Sequence, residues 1–289
     1  MPDPFVATKA ITHAAISTKV HVPEAWAHHL ADHLRDVVLP GYTAFSAVDL
    51  RFAARRLLPH GRVRIKGAHG IGGSHQWSTD NEDELDEIIN QLDANDLHEH
   101  GAVVEQNCDL AKTFSIGEVI AADIRIAYHG VQRTTQNHKG DQVYGGSDLH
   151  VVRGGFADLL GLDLPPAVKI AVGQAIRYDA VVSEVFPAFF ASRRNYDVLQ
   201  GVDREGRFVS GVLEQSWRIG GASPAEIAAM EAFKLDPQLR SVQASVRELY
   251  AADALVPPDA NVLFHECDEK VGWLLKYSTL HPGCDSVRA

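Results

Sequence analysis

A strict alternation, Arg62-Val-Arg-Ile-Lys66, runs without a break into Gly67-Ala-His-Gly-Ile-Gly-Gly73, and this junction limits the folds open to the chain. Period-two alternation is the pattern of a half-buried strand, so Val63 and Ile65 face a core while Arg62, Arg64 and Lys66 share the other face. A strand ending in lysine sets a cation beside a glycine backbone able to turn its amides toward an anion. Two readings of the loop stand side by side, a phosphate cradle or a plain strand-to-helix turn, and the P-loop ending Gly-Lys-Ser/Thr is absent.

Helical and strand periods alternate on either side of this junction. Residues 23–58 read as two helices separated at Pro40-Gly41, with Ala25, Trp26, His29, Leu30 and His33 at helical spacing. Residues 80–92 read as a helix with an acidic first turn, and 166–185 as another. Strands are expected at 102–105, at two places within 114–128, and near 262–265 and 271–277. The polar, glycine-rich stretch 130–155 reads as a long functional loop or a bent hairpin. Residues 224–233 and 237–250 each carry proline in a first turn and read as helices. The order of elements predicts an α+β protein.

Residues 196–202 and 208–217 form a predicted hairpin about Asp203-Arg-Glu-Gly206. Glu214 and Ser216, two apart, leave one face of a strand. Symmetric pairing with Asp203 opposite Gly206 sets Asp197 opposite Val212, on the face of Glu214. Like charges on adjacent strands repel, which a hard divalent cation such as magnesium between them would relieve. The competing reading is a solvated sheet face whose charges are satisfied by Arg193, Arg194 or Arg218.

The formal net charge of −11 repels nucleic acid and anionic membranes, so neither is an expected partner and any phosphate site must be local. No stretch approaches the roughly 18 apolar residues of a membrane span. The cysteines, Cys108, Cys267 and Cys284, lack a C-x-x-C pair, which fits a reducing cytoplasm. Cys108 reads as a packing residue. His28, His29 and His33 read as a helix face, since no acidic third ligand accompanies them.

Beyond these local readings, Lys66 with its glycine loop, Glu105 at a strand end, and Asn195-Tyr-Asp-Val-Leu-Gln-Gly followed by Gly211-Val-Leu-Glu-Gln-Ser-Trp-Arg-Ile-Gly-Gly221 stand in the order found in the ATP-grasp superfamily. More narrowly, Ala7-Thr-Lys-Ala-Ile-Thr-His13, Leu39-Pro-Gly-Tyr-Thr-Ala-Phe45, Val143-Tyr-Gly-Gly-Ser-Asp148 and Ser192-Arg-Arg-Asn-Tyr-Asp197 resemble a bacterial ATP-grasp family classed as a domain of unknown function (DUF3182-like).

The resemblance implies an ATP-grasp fold, with two α+β lobes clamping the nucleotide and the usual N-terminal domain largely missing before Lys9. It divides the chain into a helical segment at 1–60, a central subdomain at 61–130 and a C-terminal subdomain at 131–289. It assigns Lys9, Lys66, Gly70, Gly72 and Gly73 to ATP, and Glu105 to the hinge beside adenine and ribose. Asp197, Glu214 and Ser216 fall at the Mg2+ positions, Ser216 standing where members often have asparagine. Arg218 matches an arginine that holds a transferring phosphoryl group or acyl phosphate. The implied activity is that of an ATP- and magnesium-dependent ligase, in which a small carboxylate substrate becomes an acyl phosphate that an amine attacks. A nucleotide-binding module without turnover, and kinase-like or biotin-carboxylase-like phosphoryl transfer, are the alternatives. A homo-oligomer is compatible with all of them.

Overall fold

The structure, a computed structural model, describes residues 4–70 and 75–282. Two short 3-10 helices, Pro4–Ala7 and Lys9–Thr12, precede α1 (Leu30–Leu34), β1 (Gly41–Ala44), α2 (Ala47–Leu57), β2 (Val63–Gly67), β3 (Gln76–Thr79), α3 (Glu82–Gln91), α4 (Ala94–His100) and β4 (Ala102–Gln106). There follow β5 (Asp109–Ala121), β6 (Ile124–Gln136), β7 (Gln142–Arg153), α5 (Phe156–Leu160), α6 (Pro166–Val185), β8 (Arg193–Val202) and β9 (Phe208–Ser216). The last elements are α7 (Ser223–Leu235), β10 (Ser241–Leu249), β11 (Asn261–Asp268) and β12 (Gly272–Pro282).

The chain forms two compact units, each assembled from separate stretches: residues 1–112, 173–191 and 196–215 in the first, and 113–172, 192–195 and 216–289 in the second. The first contains an antiparallel sheet in the order β1-β4-β2-β3. Val63 and Ile65 on β2 and Val104 on β4 pack with Leu50, Ala53 and Leu57 of α2, Leu85, Ile88 and Ile89 of α3, and Leu97 of α4. The helices are started by side chains that satisfy free amides: Ser46 accepts from Asp49 N in α2, Asn81 from Glu84 N in α3, and Asp93 from Asn95 and Asp96 N in α4.

In the second unit, β5, β6, β7, β10, β12 and β11 pair antiparallel in that order. Their inner face, with Ile126, Tyr128, Leu149, Val151, Val242, Ala244 and Val246, is covered by Ala225, Ala229 and Phe233 of α7. Stretch 130–155 is a hairpin of β6 and β7, with a bulge after Arg133 near which Gly146 takes a φ of +135°. Tyr144-Gly-Gly-Ser-Asp148 therefore lies within β7.

Two segments differ from the sequence expectation. Residues 237–250 are not a helix: Val242, Ala244 and Val246 are buried at period two, and pairing of β10 with both β7 and β12 outweighs the helical first-turn proline. Within 23–58 the helices shrink to α1 and α2, and Gly41–Ala44 is a strand because β4 supplies its backbone partners. Helix α4 is also absent from the sequence reading. Its apolar signal consists of one buried residue, Leu97.

Gly117 on β5 pairs with Tyr128 on β6, and the tyrosine ring lies across it, so a Cβ at 117 would stand 2.3 Å from the ring. The buried ring cannot retreat, because its hydroxyl donates to Glu226 at 2.6 Å and lies within hydrogen-bond distance, 2.9 Å, of Asn195. Gly117→Ala is expected to lower unfolding stability by about 1–3 kcal/mol in denaturant titrations.

Candidate functional site

In the first unit, β2 and β4 bring opposite charges together inside the fold. Lys66 pairs in register with Val103, two residues from Glu105 on the same face, a diagonal that long side chains span. The Lys66 ammonium lies 2.8 Å from Glu105 Oε1, and the two side chains are 2% and 1% exposed. His13 closes the other side, its Nε2 3.3 Å from Glu105 Oε2. The ring fits because β1 places a glycine, Gly41, opposite Glu105. A Cβ there would meet the imidazole at 2.8 Å.

A second pair lies next to the first. Lys9 Nζ is 2.7 Å from Glu214 Oε2, an ion pair without hydrogen-bond geometry, and it donates to the carbonyl of Gly70 at 2.9 Å. Lys66 Nζ also donates to the carbonyl of Leu213, the residue before Glu214, at 2.9 Å. Two lysines thus converge on the Leu213-Glu214 step of β9, and Lys9 ties the start of the glycine loop to it. Gly72 and Gly73 lie outside the described residues.

The turn between β8 and β9 has one residue more than the symmetric pairing assumed. Asp203 N donates to Arg207 O, Gly206 N donates to Asp203 O, and Gly206 has a φ of +76°. The side-chain partners show the faces. Tyr196 packs at a tilt of 53° against Tyr178 of α6, with ring centroids 5.5 Å apart, and donates to Asp179, and the Tyr178 hydroxyl donates to Gln215. Tyr196 and Gln215 therefore point toward α6, as does Ser210, whose hydroxyl donates to Gln174 of that helix; 210 and 215 are an odd number apart, so period-two alternation is broken within β9. Glu214, with ammonium groups at hand, and Asp197 are carboxylates of the kind suited to a hard divalent ion together with an anionic ligand.

In the second unit, Arg193 organises the segment that follows Glu214. Its guanidinium forks onto Glu226 at 2.8–3.1 Å, and both residues are buried. The remaining nitrogen donates to the carbonyls of Ser216 and Arg218 at 3.0 and 2.7 Å and to Ser216 Oγ at 3.3 Å. Ser216 thus has its hydroxyl engaged by an arginine, while the Arg218 side chain is exposed and donates to Ile219 O. Asp148 of the Tyr144–Asp148 motif pairs with Arg133 and Arg247. Burial pushes the Cys108 thiol up to about 11, with the Glu105 charge adding to the effect, so it remains a protonated packing group.

His13 and Arg193 were not assigned as site residues from sequence. His13 ends a recognised motif, but nothing local signals that it faces Glu105. The Lys9–Glu214 pair was likewise hidden, since arginines near the hairpin were the candidates for neutralising that face.

Burial alone would raise the Glu105 carboxyl; the Lys66 ammonium and the His13 ring outweigh it and hold the group down at about 2, from an ordinary 4.5. A carboxylate depressed in the folded state contributes stability that is complete above its unfolded value and is lost as pH falls toward the folded one. Glu105→Gln, which leaves Lys66 buried without its counter-charge, is expected to reduce stability at neutral pH by about 3 kcal/mol or more. The deficit relative to the parent should shrink between pH 4.5 and 2, as read by denaturant unfolding at a series of pH values.

The fold is that of ATP-grasp enzymes. Phosphoribosylamine–glycine ligase from Thermotoga maritima is similar at 14% identity and a TM-score of 0.54, over 96% of this chain and 72% of that one. The biotin carboxylase domain of the Hydrogenobacter thermophilus 2-oxoglutarate carboxylase, solved with MgADP, ADP and bicarbonate, is similar at 12% identity and 0.51, over 90% and 62%. N5-carboxyaminoimidazole synthetase from Staphylococcus aureus, complexed with ADP, follows at 13% and 0.50, over 88% and 66%. The chain thus spans less than two thirds of the latter two proteins. No curated protein matches it. The family described as "Protein of unknown function (DUF3182)" matches residues 1–278, and the chain belongs to that family.

Proposed function

We propose that the chain binds ATP with magnesium and uses it to activate a small carboxylate substrate as an acyl phosphate, which an amine or similar nucleophile then captures. The observation that carries this reading is the convergence of Lys9 and Lys66 on the Leu213-Glu214 step, beside the glycine loop. Both lysines are held in ion pairs, so their charges are already placed and largely desolvated before any ligand arrives. A phosphate near Lys9 competes with Glu214 for the ammonium, and a magnesium ion, when bound by Glu214 and Asp197, would replace Lys9 as the counter-charge of Glu214. This exchange keeps the local charge balanced.

On this reading, residues 1–60 contribute Lys9, residues 61–130 the glycine loop with Lys66 and Glu105, and residues 131–289 the carboxylates and Arg218. Lys9, Lys66 and the amides from Gly70 onward bind the phosphates. Glu105, with one oxygen on Lys66 and the other toward His13, fixes the height and direction of that ammonium. Magnesium, when bound by Asp197 and Glu214 next to Ser216, would neutralise charge on the phosphate oxygens. Arg218, whose guanidinium is exposed, steadies the transferring phosphoryl group. Catalysis then rests on positioning and charge compensation, with no covalent nucleophile from the protein.

Trapping with hydroxylamine tests the reaction. In the presence of ATP, magnesium and a panel of carboxylic acids, a hydroxamate should accumulate with release of ADP. ATP-dependent thermal stabilisation without ADP release or hydroxamate would make the chain a nucleotide-binding module instead, and a stable phosphorylated alcohol would make it a kinase. Glu214→Gln is expected to abolish the magnesium-dependent part of the ATP-induced thermal shift. Lys66→Gln should weaken ATP about tenfold to a hundredfold with or without the metal, the range for losing a charged hydrogen-bond donor.

A further inference from the structure

A second, separate group of ligating side chains lies on the surface of the first unit. Asp96 and His100 are one helical turn apart on α4, and His69 enters from the loop after β2. The His69 and His100 Nε2 atoms stand 3.9 and 4.0 Å from Asp96 Oδ1, and one potential ligand atom from each residue lies within 4.8 Å of the other two. The imidazoles meet edge to face, with centroids 4.3 Å apart.

These distances are too long for hydrogen bonds. They are the distances of groups arranged about a gap: a point roughly 2.5 Å or less from all three atoms exists, against bonds of about 2.0–2.2 Å from zinc to imidazole nitrogen or carboxylate oxygen. Small side-chain rotations close that difference. Glu99, whose carboxylate is 3.7 Å from the same His100 nitrogen, adds another charged neighbour. Two imidazoles and one carboxylate favour a borderline transition ion over magnesium or calcium, which prefer all-oxygen sets.

We propose that His69, Asp96 and His100 bind a zinc-like divalent transition ion that fastens residues 68–70, just after β2, to α4, with water completing the coordination. The proposal does not rest on the ATP reading, although His69 stands within the glycine loop given there to phosphate, and it is tested without nucleotide. Zn2+ titrated by calorimetry into metal-stripped full-length protein should bind with one ion per chain and raise the melting temperature. Co2+ in its place should show visible absorption of a nitrogen- and oxygen-ligated ion.

His69→Asn and His100→Asn should each weaken Zn2+ binding about tenfold or more. The side chains of His69, Asp96 and His100 are 56%, 48% and 30% exposed, so the substitutions should leave unfolding in chelator unchanged. His29→Asn and His33→Asn, at another helical-turn pair, with ring centroids 6.0 Å apart, serve as controls and should leave binding intact. Absence of stoichiometric binding, binding unaltered in both loop and helix variants, or equal loss in the controls would overturn the assignment. Should either variant melt early in chelator, Asp96→Asn replaces it in the same comparison.

Discussion

Much of the first unit is arranged around a single ion pair that water scarcely reaches. Lys66 and Glu105 are each 2% exposed or less, and an isolated charge in such surroundings would be costly by several kcal/mol. The pair is tolerable because its geometry is over-determined. Register between β2 and β4 sets the diagonal, Gly41 makes room for His13, and the backbone carbonyl of Leu213 takes a further ammonium hydrogen. A buried pair of this kind is weak evidence for stability as such. It is better understood as a way to hold a cation in one place, which is what recognition of an anionic ligand requires.

The same logic extends outward through Lys9, which joins the amino-terminal 3-10 helices to Glu214 and to the carbonyl of Gly70. Charge is therefore balanced locally in a chain whose overall balance is strongly negative. In the second unit Arg193 has a comparable part: paired with Glu226, it gathers the carbonyls of Ser216 and Arg218 and so shapes the backbone just beyond the carboxylate strand.

How far the fold could be read from sequence depended on how local its causes were. The alternation at Arg62–Lys66 and the acidic start of α3 sit in short windows and point directly to β2 and α3. Strand β10 did not, because a proline in the expected first turn suggested a helix until pairing on both edges outweighed it. Strand β1 was concealed for a similar reason, since its case rests on β4, far away in the chain. Among site residues, Lys66 and Glu214 stand in recognisable patterns. Their pairings were not legible, because the contacts of Glu105 with His13 and of Glu214 with Lys9 join remote segments. The shared face of Asp197 and Glu214 expected from symmetric arithmetic assumed a turn one residue shorter than Asp203–Arg207 and an unbroken alternation along β9, and neither is present.

The central claim is that this paired-charge cluster is a nucleotide site. Calorimetric titration of ATP into the parent protein, with magnesium and again with chelator, tests it most directly. The account predicts saturable binding of one ATP per chain that tightens when magnesium is present. No binding at millimolar ATP under either condition, or binding indifferent to magnesium, would contradict it.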